Sequence, residues 1–147
     1  MTSRGGTSDG NAAIFTAPRA RGAWRSMSDV TRVLLRLYLN GDRPLGPGKV
    51  QVLESIRDRG SISEAARSMK MSYRSAWLLV DSMNAVFRKP VVQARLGGRG
   101  GGSATLTPFG ADVIRHYRSM ERATRRAIAR DLAALERNVR PAVRRTN

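Results

Sequence analysis

A chain of 147 residues, 41% of them hydrophobic, suffices for one compact domain with extensions and hardly for two. Its 27 lysines and arginines, nearly all arginine, face 11 acidic residues, and the formal charge of +16 points to a polyanionic partner; nucleic acid leads over an anionic membrane because neither end offers a bulky amphipathic helix or a lipidation signal. The lack of cysteine excludes disulfides, cysteine-bound metal and a cysteine nucleophile, and no apolar run reaches membrane-spanning length, so a cytoplasmic protein is expected.

Residues 1–28 are rich in Gly, Ser, Ala and Arg without a sustained apolar period, which predicts a flexible basic tail, with Met27 as an alternative start to Met1. Val33, Leu35, Leu37 and Leu39 then alternate with Arg32 and Arg36 and stop at the turn signal Asn40-Gly41-Asp42, the pattern of a strand. From Gly48 to Arg59, Val50, Leu53 and Ile56 recur at helical spacing, and Gly60 ends that helix. Ser61 and Glu64 have capping-box spacing for a short second helix with Ala65 and Ala66 at a close contact and Met69 and Met71 pointing inward. Ser72 caps a third helix, "YRSAWLLVDSMNAVF", whose apolar stripe is Ala76, Val80, Met83 and Phe87 with Trp77 at its edge. "VVQAR" and "SATLT" read as two short strands around the glycine-rich tip. Thr107, followed by Pro108, caps a long last helix with Val113, Tyr117, Met120, Thr124, Ala127 or Ile128, Leu132 and Leu135 in helical period.

The predicted fold class is mainly α with a small β hairpin: a winged helix-turn-helix over 29–107, a long C-terminal dimerisation helix over 108–137 and a basic tail over 138–147. A helix enters the major groove by its first turn, so Tyr73, Arg74 and Ser75, which lie away from the apolar stripe, are the base-reading candidates. Arg74 can fork onto guanine, Tyr73 can meet a thymine methyl or a phosphate, and Ser75 is short enough for close approach. Ser61, Ser63, Lys70 and Ser72 lie where helix ends meet backbone phosphates. The plain alternative is a helical hairpin with a solvated basic face.

The stretch "GSISEAARSMKMSYRSAW", the pair Met83-Asn84 and the stretch "GGRGGGSATLTPFG" together resemble the N-terminal DNA-binding domain of the molybdate-responsive ModE-type regulators, a relative of the LysR-type winged helix, over roughly residues 30–120. The resemblance implies a recognition helix and a wing, with DNA-contact roles for Ser72, Tyr73, Arg74, Ser75 and Arg99. Where molybdate-binding domains would follow, the chain has only "RNVRPAVRRTN", so no small-molecule ligand is expected to bind this chain alone.

Glycines let a hairpin tip approach the sugar-phosphate backbone, where Arg99, with Arg95 as a second candidate, would place charge on phosphates or in the minor groove; a merely flexible loop is the other reading. The tip lacks the Gly-Lys-Ser/Thr ending of a phosphate-binding loop and precedes a strand instead of a helix. His116 has no second ligand candidate at metal spacing, and the carboxylates of the last helix sit among arginines as solvated pairs, so no enzyme, metal site or cofactor is expected. The apolar period beyond the reach of so small a core assigns Tyr117, Ile128, Leu132 and Leu135 to a homodimer interface. The expectation is therefore a dimeric regulator of transcription on double-stranded DNA; the alternative is an architectural DNA- or RNA-binding basic protein without base readout.

Overall fold

A computed structural model describes residues 31–41, 43–95, 97 and 102–140. They form α1 (Pro47–Arg59), α2 (Ile62–Ser68), α3 (Tyr73–Val86), the strands β1 (Val92–Arg95) and β2 (Ser103–Leu106), and α4 (Pro108–Glu136). The expected tail over 1–28 lies outside the described residues, as do 141–147 of the C-terminal one.

Local chemistry sets the helix ends. Pro47 opens α1 with its preset φ, and Gly60, at φ 73°, closes it by donating its N–H to the Ile56 carbonyl at 2.8 Å. The Ser61 hydroxyl accepts the Glu64 N–H at 3.0 Å, but the reciprocal half of the expected capping box is missing, because the Glu64 carboxylate turns outward to Arg67. Ser72 accepts from the Ser75 N–H at 3.1 Å, and Thr107 from the Gly110 N–H at 2.9 Å.

The first expected strand is corrected. Among the described residues the alternating segment before α1 makes a single β pairing, an antiparallel bridge between Leu37 and Leu45 with two 2.9 Å hydrogen bonds. The chain does reverse at Gly41, whose φ is 78°. The return limb, however, contains Pro44 and runs into Pro47, which have no N–H to donate, so the ladder stops after one rung. Leu35 and Leu37 pack on the core as expected, whereas Leu39 swings into solvent with Leu34 and Tyr38.

The core lies between α1, α2 and α3, where Leu53, Ile56, Ala65, Ala76, Val80 and Met83 are buried, and Val113, Ile114 and Tyr117 of α4 close it from one side. Burial of each large aliphatic side chain contributes about 1.5–3 kcal/mol against the entropy of ordering. β1 and β2 pair antiparallel from Val92 with Leu106 to Arg95 with Ser103, and Val91, Val92 and Ala104 root the hairpin in this core.

Two long-range ties orient α4. Tyr117 is 0% exposed and donates its hydroxyl to the Leu35 carbonyl at 2.7 Å. This corrects its expected place at a dimer interface: its ring is used up inside its own chain. Arg118 forks onto Glu54 of α1 at 2.9 and 2.8 Å and reaches Glu121 at 2.7 Å. These hydrogen bonds hold the guanidinium well above its ordinary pKa, the bonds to Glu54 foremost. Past Glu121, α4 continues for four turns with Leu135 exposed and Ile128 and Leu132 half-exposed.

Candidate nucleic-acid interface

The turn between α2 and α3 is built by its backbone. Met71 donates to the Ala66 carbonyl at 3.0 Å and Lys70 to the Arg67 carbonyl at 3.2 Å, the two bonds of a Schellman ending, with Lys70 in the left-handed region at φ 54°. Glycine is the relaxed occupant of such a position, and a side chain there costs about 1 kcal/mol, so this turn keeps a cation at a small conformational penalty. Lys70 is exposed.

Three residues beyond it α3 begins, with Ala76, Val80 and Met83 facing inward. That register forces Tyr73 and Arg74 outward: Tyr73 is 50% exposed and Arg74 is exposed, in a first turn that contains no acidic residue. Ser75, the third base-reading candidate, is half-buried, and its hydroxyl lies 2.8 Å from that of Ser72, so both hydroxyls are engaged in the cap. Ser61 is likewise engaged as a cap, and Ser63 is half-buried beside it. Sequence reasoning placed Trp77 at the edge of the buried stripe. It stands 42% exposed one turn after Tyr73, with Leu78 at 44%, so the outer face of α3 is larger and more apolar than the motif suggested. The signal was the four-residue spacing from Tyr73.

Three anchors hold the hairpin in place, one of them on this helix. The Asn84 side chain of α3 accepts the Val91 N–H at 2.8 Å and donates to the Val92 carbonyl at 3.1 Å. Ala104 of β2 donates to the Gly60 carbonyl at 2.9 Å, linking the hairpin to the corner between α1 and α2. The Thr107 hydroxyl donates to the Pro90 carbonyl at 2.7 Å while capping α4, and a Cβ on Gly110 would collide with the Val91 carbonyl and Leu106, so only glycine lets α4 start this close. The Asn84 contact has a sequence signal in the Met83-Asn84 pair, but its partners are seven and eight residues away across a loop. Arg95 is exposed on β1 opposite Ser103; Arg99 lies outside the described residues.

The first turn of α3, its supporting α2 and the hairpin beside them define a winged helix-turn-helix. No protein-family model matches the chain. The molybdenum transport protein ModE of Azotobacter vinelandii is 38% identical over 93 residues, 62% of this chain and 34% of that protein. The molybdenum-pterin-binding protein MopB of Rhodobacter capsulatus is 40% identical over 95 residues, 65% and 34% of the two chains, and the DNA-binding transcriptional dual regulator ModE of Escherichia coli K12 is 36% identical over 85 residues, 58% and 32%. The chain thus spans about a third of the length of the curated relatives it matches. The resemblance read from the helix-turn-helix and the glycine-rich tip is to proteins bearing the ModE name. Among solved structures, Streptococcus pneumoniae FabT in complex with DNA aligns with a TM-score of 0.43 and 14% identity over 68% of this chain and 76% of that one.

Proposed function

We propose that this chain is a sequence-specific, ModE-like regulator of transcription that binds double-stranded DNA as a homodimer in the cytoplasm and performs no catalysis. The observation that carries the reading is the pairing of an exposed, cationic first turn on α3 with a buried stripe that anchors the same helix: Tyr73 and Arg74 project while Ala76 and Val80 are held. A helix placed in the major groove needs that division. Arg74 reads a base edge, Tyr73 a methyl group or phosphate, and Lys70 with the α2 and α3 caps meets the backbone on either side. Ser75 contributes through the closeness its small side chain permits. Arg95 and Arg99 bring charge from the wing to the phosphates.

The test begins with genome-wide mapping of bound DNA to obtain a cognate site. Arg74→Ala is expected to weaken binding to that site by about 1–3 kcal/mol and to leave affinity for random DNA nearly unchanged, since a forked base contact is lost. Equal losses on both would remove base reading from Arg74 and leave a protein that grips phosphates only.

A further inference from the structure

The outer face of α4 carries a row of arginines that neither the recognition helix nor the wing accounts for. Arg115, Arg122, Arg126, Arg130 and Arg137 follow one another at separations of 7, 4, 4 and 7 residues, so they share one side of the helix over about 33 Å. The side is opposite Val113, Tyr117, Ile128 and Leu135. Arg115 is paired with Asp112 at 2.6 Å; among the described residues no carboxylate lies within ion-pair distance of the other four, all of which are exposed. What lies between them is small: Ser119, Ala123, Ala129 and Ala133. A helix face kept merely soluble interleaves glutamate with its cations at four-residue spacing, because like charges there repel. Of the four carboxylates of α4, Asp112 is taken up by Arg115 at one end of the row and Glu121 by Arg118, Asp131 lies beside the apolar stripe, and Glu136 borders the far end of the row without pairing with it.

We infer that this row is a second phosphate-binding surface, which holds the backbone of duplex DNA outside the segment read by α3. Charge complementarity selects the occupant: a line of guanidiniums flanked by alanines admits a continuous line of phosphates to close range, and the planar fork of arginine matches them. The surface extends the DNA-binding reading above, and it acts without regard to sequence. The row occupies the side of α4 that the apolar stripe leaves free, so pairing through the stripe would leave it open to a polyanion.

The test uses the full chain with Arg122, Arg126, Arg130 and Arg137 all changed to glutamine, and a second variant with the same four changed to lysine. On a random-sequence duplex the glutamine variant is expected to bind at least tenfold more weakly than wild type at moderate salt, and to lose roughly a hundredfold less affinity between about 50 and 200 mM salt, as four missing phosphate contacts require. The lysine variant should recover most of the salt dependence, and the thermal midpoint of both should stay at or above that of wild type. The same fold loss should appear in an Arg74→Ala background, because the surfaces are independent. Unchanged affinity and salt slope in the glutamine variant would overturn the inference, as would a loss confined to vesicles rich in phosphatidylserine. An effect of the row with no effect of Arg74→Ala on the mapped site would instead overturn base reading and leave the row standing.

Discussion

Tyr117 carries a polar atom into the core and gives it a partner 82 residues away, the carbonyl of Leu35. Burial, foremost, pushes its phenol up from about 10 to about 12, with Glu121 nearby adding to the effect. The folded state therefore prefers the neutral ring: the stability this contributes is complete below about pH 10 and is lost as pH rises from about 10 to about 12. Tyr117→Phe is expected to cost about 1 kcal/mol near neutral pH, where the hydrogen bond is lost, and to flatten that alkaline decline. Urea unfolding from pH 8 upward reads both effects, and an equally steep decline in the variant would place its cause elsewhere. The spacing of Val113, Tyr117 and Leu135 announced an apolar stripe, but a period along one helix does not say whether its own core or a second chain covers each position. The tie between Glu54 and Arg118, spanning 64 residues, has no local signature either.

At the scale of elements, the caps were legible because their partners are three residues away: Ser61, Ser72 and Thr107 bind the N–H groups their positions predict, and Gly60 takes the left-handed angle expected of it. The outward first turn of α3 was legible for the same reason, since the buried register of Ala76 and Val80 dictates it. The strand before α1 misled because alternation records only which side is apolar; a ladder also needs donors on the neighbouring limb, and the prolines there have none. Of the hairpin's attachment to α3 only the Met83-Asn84 pair was legible, and not the contact it makes, since that depends on one side chain reaching across a loop. Asn84→Ala removes both sides of that bridge and leaves the Val91 N–H, at the core, without its acceptor. A cost of about 1–3 kcal/mol in unfolding free energy is expected, with a larger fractional loss of DNA affinity than the stability change alone would produce. Normal binding by the folded fraction would show that the wing needs no fixed seat beside α3.

For the molecule as a whole, α4 is the element that a single domain does not satisfy. Ile128, Leu132 and Leu135 continue the line of Tyr117 beyond the last buried position, and two such helices laid together would cover them. The arginine row lies on the other side, so its repulsion is screened by solvent and salt more than the stripe is. Sedimentation at physiological salt is expected to give a dimer, and Leu132→Glu to shift it towards monomer and to weaken binding to a paired site more than to one half-site. Half-sites one turn of DNA apart would then lie about 34–36 Å from centre to centre. A wild-type chain that stays monomeric at tens of micromolar, about the Kd scale of modest interfaces, would leave the stripe without this role.

The three anchors at the hairpin's root bear on how the molecule breathes. Amide hydrogens of Val91, Ala104 and Thr107 are bonded respectively to α3, to the corner between α1 and α2, and to the hairpin's own base, so no single strand can release them. In deuterated water they should exchange as slowly as the centres of the helices, by opening of the entire domain. Exchange should quicken towards Arg95 and Ser103, where only the two-stranded ladder protects. The wing is then graded, from a root that shares the fate of the core to the last described rung, Arg95 with Ser103, which the ladder alone holds.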